Sequence, residues 1–127
     1  MSGTWTAEEL EAVGSADELD LAAVGQDGSL HEPVTMWVVR HGDDLFVRAV
    51  NGRGASWFRS AQVRHQAHIA AGGVEKDVAL TELDGLTDEL DVAYRAKYGR
   101  YGGPTARITS AEAGAATLKL TPRQEEN

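Results

Sequence analysis

The chain has 127 residues, a mass of 13.6 kDa and a formal net charge of −8, which suits one domain with a sizeable core and is too short for two. It has no cysteine, so disulfides, thiolate metal sites and cysteine nucleophiles are excluded. The acidic balance argues against general nucleic-acid binding, and no apolar run approaches the roughly 18 residues of a membrane span, so we expect a cytoplasmic protein that binds neither nucleic acid nor membrane.

The first half of the chain predicts one short helix followed by three strands. Thr6 to Glu9 matches a capping box, and Trp5 is expected to staple this first helix to the body of the domain. The strands are predicted over 18–25, 34–40 and 45–50, with turns at Asp27-Gly28 and over 41–44. Because segment 34–40 is β-branched and apolar on both faces, we predict that it is the central strand of a meander.

The second half predicts further helices and three more strands. Ser56 is predicted to cap a short helix over 57–63, and Thr87 a long helix that ends near Tyr101 and holds an Asp91–Arg95 pair. The strands are predicted over 65–71, 74–83 and 116–120, with a weaker helical segment around 105–112. Short strands joined mostly by tight turns, with helices between them, indicate a closed or nearly closed antiparallel barrel in the α+β class.

Residues 45–73 give the strongest functional signal, because they hold four arginines and no Asp or Glu. Ordinary surfaces mix both signs of charge, so this stretch predicts a site for a small anionic or phosphorylated ligand. Arg48 would stand on a rigid strand, and the loop of Asn51, Gly52, Arg53, Gly54 and Ser56 would offer backbone N–H groups, a guanidinium and a hydroxyl to a phosphate. Trp57 would then lie against an aromatic ring. The alternative interpretation is a glycine loop with solvated arginines.

Three residues on one face of the long helix are candidate catalytic groups. Tyr94, Lys97 and Tyr98 could donate protons or bind a carboxylate if they line a dry pocket. The alternative is that the tyrosines are core residues whose hydroxyls reach the surface. The four histidines do not have the spacing of metal ligands, so we predict no metal site.

Motifs spread over nearly the whole chain resemble a known family. They are Trp37-Val-Val, Leu45-Phe-Val-Arg48, Gly52 with Trp57-Phe-Arg59, Gly72-Gly73 and Ala93-Tyr-Arg-Ala-Lys-Tyr98. This set resembles the uncharacterised bacterial proteins grouped as domain of unknown function 2255. That group is similar to the split β-barrel flavin-binding superfamily, which includes the pyridoxamine-phosphate oxidases and the deazaflavin-dependent nitroreductases.

The resemblance implies an α+β fold built on an antiparallel split β-barrel of about six strands with flanking helices. Residues 1–121 would form this single domain and 122–127 a flexible C-terminal tail. It also implies a homodimer with cofactor sites at the subunit interface. The positions similar to the cofactor phosphate site of the deazaflavin enzymes are Arg48, Asn51, Gly52, Arg53, Ser56 and Trp57.

Two functions follow as hypotheses. The first is an oxidoreductase that uses FMN or a deazaflavin on a small organic substrate, with Trp57 or Trp37 beside the cofactor ring. The second is a cofactor-free enzyme or carrier for a small anionic metabolite, with Tyr94, Lys97 and Tyr98 lining its pocket and Arg48 orienting the acid group. A third interpretation, an interaction module whose arginines meet an acidic partner, is also compatible with the sequence.

Overall fold

The computed structural model of the chain describes residues 4–83 and 85–123. Within these residues it has five α-helices and one seven-stranded antiparallel sheet. The helices are α1 (Ala7–Ser15), α2 (Ser56–Arg64), α3 (Thr87–Tyr98), α4 (Gly103–Ile108) and α5 (Ala111–Gly114). The strands are β1 (Leu19–Ala23), β2 (Val34–Met36), β3 (Val39–His41), β4 (Asp44–Arg48), β5 (Gln66–Ala71), β6 (Val74–Glu82) and β7 (Thr117–Pro122).

The sheet curls into a half-barrel that is split between its two edge strands. The strand order is β2-β1-β5-β6-β7-β4-β3, so β2 and β3 lie at opposite edges although only Trp37 and Val38 separate them in the chain. Because a link of this length spans at most ~11 Å between the flanking Cα atoms, the two edges must lie close together in space. The predicted α+β split-barrel fold is therefore confirmed, with seven strands in place of about six.

The prediction of a central strand over 34–40 in a meander was wrong. That run breaks into β2, which pairs with β1, and β3, which pairs with β4. Its residues are apolar on both faces for a different reason. Val38 and Val39 are buried at the crossover, and Trp37 packs on the aromatic residues of α3, so the pattern reflects a covered crossover between two edges.

Two hydrophobic cores lie on opposite sides of the sheet. The larger fills the half-barrel and includes Leu45, Val47 and Ala49, while the smaller lies between β3, β4 and α3 and includes Phe46. The strict alternation of β4 thus sends successive side chains into different cores. Arg48 continues the alternation on the side of the smaller core, and its side chain is fully buried.

Of the three helix caps predicted from the sequence, the one at α1 is present and those at α2 and α3 are not. The capping box of Thr6 and Glu9 is present, and Trp5 Nε1 donates to the Leu120 carbonyl at 2.9 Å, which confirms both expectations for α1. The capping roles of Ser56 and Thr87 were wrong. Each is the first residue of its helix, and the cap positions are Ala55 and Leu86.

The last strand extends into the segment that was predicted to be a C-terminal tail. Strand β7 runs to Pro122, which is paired with Val78, and the Arg123 N–H donates to the Asp77 carbonyl at 2.9 Å. The strand therefore includes the first residue of the predicted tail, and 124–127 lie outside the described residues.

Among the residues that are described, no helix has the length and apolar character needed to cross a membrane.

Candidate functional site

A cleft of about 390 Å³ opens where β2 faces α4 and the loop after β4. Its size falls within the ~300–1,000 Å³ that is usual for small-molecule sites. Four residues proposed from the sequence line it together, namely Trp37, Arg48, Asn51 and Trp57. The other lining residues, which sequence reasoning missed, are Val34, Thr35, Met36, Val50, Pro104, Arg107 and Ile108.

Arg48 reaches the cleft wall, but its guanidinium is occupied by internal acceptors. Nε donates to Thr117 Oγ1 at 3.1 Å and Nη1 donates to Asp91 Oδ1. The remaining bonds go to the carbonyl oxygens of Ile108 at 3.1 Å and Thr87 at 3.2 Å. Asp91 was expected to pair with Arg95, and its observed partner is Arg48. The arginine therefore ties β4 to α3, β7 and α4, and the Asp91 carboxylate compensates its charge.

The glycine loop is arranged differently from the phosphate cradle predicted for it. The Gly52 N–H donates to the Ala49 carbonyl at 2.9 Å, and Gly52 is buried against the side chain of Glu112. Arg53 forms an ion pair with Glu82 at 2.7 Å and lines a different surface pocket. Ser56 lies on the far side of Trp57 from the cleft. The structure thus does not bring Gly52, Arg53 and Ser56 together with the cleft residues.

Arg107 supplies the positive charge of the cleft. It is exposed on α4, and within 4–83 and 85–123 its side chain has no ion-pair or hydrogen-bond partner. Within residues 4–83 and 85–123, no Asp or Glu lines the cleft. In a chain of net charge −8, a guanidinium that has no carboxylate beside it in this part of the chain favours an anion at this place. No signal near Arg107 in the sequence could have identified it, because most of its neighbours in the cleft come from distant segments, namely β2, β4 with the loop after it, and α2.

The three candidate catalytic residues lie outside the cleft lining, and two of them, Lys97 and Tyr98, bind the crossover of the half-barrel. Lys97 Nζ donates to the Val38 carbonyl at 2.7 Å. Tyr98 OH accepts from the Val38 N–H at 3.3 Å and donates to the Asp17 carbonyl at 2.8 Å. The Tyr98 ring stacks on Trp37, with centroids 4.0 Å apart and planes 2° from parallel. The stacking on Tyr98 and the hydrogen bonds to the neighbouring Val38 thus hold Trp37, which lines the cleft, in place.

Burial sets the protonation of this cluster. It lowers the pKa of Lys97 to about 8 and raises the pKa of Tyr98 to about 12. Burial also raises the pKa of Tyr94, whose hydroxyl finds no hydrogen-bond partner among the residues described. Both tyrosines therefore keep their protons at neutral pH. Tyr94 and Tyr98 are 0% and 1% exposed, so they are core residues, but the Tyr94 hydroxyl does not reach the surface as the alternative interpretation expected.

Replacing each buried tyrosine with phenylalanine tests whether its hydroxyl stabilises the fold. Tyr98→Phe is expected to lower the free energy of unfolding by about 1–3 kcal/mol, because it leaves the buried Val38 N–H and the Asp17 carbonyl without this partner. Tyr94→Phe is expected to be neutral or slightly stabilising, because it removes a hydroxyl that makes no hydrogen bond. Urea titration followed by circular dichroism measures both. Equal losses in the two variants would contradict this assignment.

The fold and the site can be compared with known proteins. The family model described as "Uncharacterized protein conserved in bacteria (DUF2255)" matches residues 9–120. No curated protein matches the chain. Among the residues described, no group of three or more His, Cys, Asp or Glu side chains is placed to hold a metal ion.

Solved structures of the same fold have low sequence identity to the chain. HutZ, the heme storage protein from Vibrio cholerae, superposes with a TM-score of 0.64 at 15% identity, covering 97% of this chain and 93% of that one. An F420-H2 dependent reductase gives 0.61 at 14% identity, with coverages of 82% and 93%. An FAD-binding protein from Mesorhizobium loti gives 0.55 at 15% identity, with coverages of 99% and 94%. At these identities the likeness shows the fold alone.

Proposed function

The chain belongs to the DUF2255 family of uncharacterised bacterial proteins, and we propose that it is a flavin- or deazaflavin-dependent oxidoreductase acting on a small organic substrate. The observation that carries the proposal is the cleft, which among the described residues combines two tryptophans, a mostly apolar lining and the unpaired guanidinium of Arg107 with no carboxylate. These properties suit a flat ring system with an anionic tail. The similarity to a deazaflavin reductase and an FAD-binding protein supports the same choice.

The residues present fit such a cofactor. Trp57 and Trp37 would flank the ring system, and Arg107 with the side-chain amide of Asn51 would hold the phosphate end. When bound, the cofactor supplies the hydride transfer, so the chain needs few catalytic side chains of its own. This assignment transfers the anion-binding role from the predicted residues Arg48 and Arg53 to Arg107.

Binding of FMN and of coenzyme F420 tests the proposal directly. We expect saturable quenching of tryptophan fluorescence by at least one of them. Arg107→Met should weaken that binding by about tenfold or more, since a charge-assisted contact contributes about 1.5–3 kcal/mol. Arg59→Met is the matched control, because Arg59 is exposed on α2 and outside the cleft lining. If neither cofactor binds, or if both variants weaken binding equally, the proposal fails.

A carrier of a small anionic metabolite is the second candidate, and one observation favours it. Among the described residues, the cleft lining contains two arginines but no His, Asp, Glu, Lys or Tyr, so this part of the chain offers no side chain there for proton transfer. The same Arg107→Met and Arg59→Met pair, tested with a simple aromatic carboxylate such as benzoate, separates the candidates. Binding of benzoate together with no binding of FMN or F420 would select the carrier.

The expected homodimer also stands as a proposal. Strand β2 is an edge strand of three residues and contributes Val34, Thr35 and Met36 to the cleft. A second copy placed against this edge would close the open side of the cleft. Light scattering after size-exclusion chromatography measures the mass, and a monomer that binds FMN with full affinity would contradict the dimeric site.

A further inference from the structure

A smaller space of about 300 Å³, here called the hollow, adjoins the cleft at Trp57. Val34 and Trp57 line both spaces, so these two side chains form the wall between them. A molecule in either space would therefore contact the same indole ring. The volume is at the lower end of the ~300–1,000 Å³ range of small-molecule pockets, which suits a ligand with a single ring.

The lining of this hollow combines an apolar floor with hydroxyl groups. Leu21 and Ala23 of β1 form the floor and are 1% and 3% exposed. Ser56 and Ser60 lie on α2, four residues apart and therefore on one helix face. In the described part of the chain, the side-chain hydrogen bonds from α2 come from Gln62 and Arg64. The two serine hydroxyls thus have no protein partner there and are free to bind a ligand.

His31 stands at the edge of the hollow in a defined position. Its backbone N–H donates to the Ala23 carbonyl at 2.9 Å, which fixes the loop beside β1. A Cβ atom at Gly25 would lie 2.7 Å from the imidazole Nε2, so the ring occupies the space that this glycine leaves open. The ring nitrogens of the imidazole can take part in a hydrogen bond with a ligand.

The charges of the two spaces differ. Arg107 faces the cleft, whereas in the described part of the chain no Lys or Arg lines the hollow, and Glu32 gives its rim a negative charge. An anion would therefore be favoured in the cleft and disfavoured in the hollow. Hydroxyls, an imidazole and an apolar floor together suit an uncharged ring that carries a carbonyl or amide group.

We propose that the hollow beside Trp57 is a second binding site of the protein, which takes a small uncharged one-ring molecule with a carbonyl or amide group. This site is separate from the cleft, and binding in it does not depend on the function proposed for the cleft. Because Trp57 lines both spaces, each ligand would contact its indole ring.

Binding of 4-fluorobenzamide, observed by fluorine NMR, tests this inference. Ser60→Phe fills the hollow and should weaken binding by about tenfold or more, and Ser60→Ala, which only removes the hydroxyl, by about fivefold. Val63→Phe is the matched control, because Val63 lies on the same helix, is 53% exposed and does not line the hollow. Val63→Phe and Arg107→Met should leave binding within about twofold.

The outcomes are distinct for the two proposals. No saturable binding of 4-fluorobenzamide to the unmodified protein, or equal binding by folded Ser60→Phe, Ser60→Ala and Val63→Phe variants, overturns the hollow as a binding site. Displacement of the amide by FMN would place both molecules in one site and would also overturn it. Absence of FMN and F420 binding with retained, Ser60-dependent amide binding would instead remove the proposed oxidoreductase and leave the hollow intact.

Discussion

Replacement of Arg48 with Met is expected to lower the free energy of unfolding by about 3–5 kcal/mol, because it breaks a buried ion pair and leaves Asp91 without its partner. The Arg48 side chain is 0% exposed and that of Asp91 is 14% exposed. The change also removes donors from Thr117 Oγ1 and from the carbonyls of Ile108 and Thr87. Since domains are stable by only about 5–15 kcal/mol, urea titration should show a large shift of the midpoint.

Two further variants identify the cause of this loss. Arg59→Met, at an exposed position of α2, should change the free energy of unfolding by no more than about 0.5 kcal/mol. Arg48→Met combined with Asp91→Leu should recover part of the loss, because an apolar pair does not leave a charge without a partner. A stable Arg48→Met protein that has lost FMN binding would contradict this account and would support the phosphate-binding role predicted from the sequence.

The fold was largely predictable because its signals are local. The capping box of α1 and the strands predicted over 65–71 and 74–83 each depend on neighbouring residues, and the structure confirms them, with β5 over Gln66–Ala71 and β6 over Val74–Glu82. The break of segment 34–40 was not predictable in this way. Val38 leaves the strand pattern because Lys97 and Tyr98, about 60 residues away, bind its peptide groups, and no local pattern encodes that contact.

The candidate site was harder to predict because charge along the chain is not charge in space. Residues 45–73 contain no acid, yet Arg48 meets Asp91 and Arg53 meets Glu82 across long sequence separations. The apparent basic stretch is thus partly neutralised by acids from α3 and β6. Arg107, which stands in an unremarkable segment of the sequence, is the arginine that faces the cleft without a described partner.

Substitutions at Gly52 and Gly54 distinguish a packing role of their loop from a phosphate-binding role. Gly52 has φ +79°, and a Cβ there would lie 2.4 Å from Glu112 Cγ. Gly52→Ala is therefore expected to lower the free energy of unfolding by about 2–5 kcal/mol, from a left-handed backbone that disfavours side chains and from overpacking. Urea titration of the purified variant measures this loss.

Gly54→Ala is the matched control within the same loop. Gly54 is not among the positive-φ glycines, and a Cβ there meets no atom within 4 Å among the described residues, so its replacement should be neutral or stabilising by about 0.4–1 kcal/mol. Adding Glu112→Ala to Gly52→Ala should recover the overpacking part of the loss, about 1–3 kcal/mol, but not the backbone strain. If both glycines cradled a phosphate, each variant would weaken FMN binding with little change in stability. Loss of stability at Gly52 alone, with unchanged FMN binding in Gly54→Ala, would assign the loop to packing and leave the anion to Arg107.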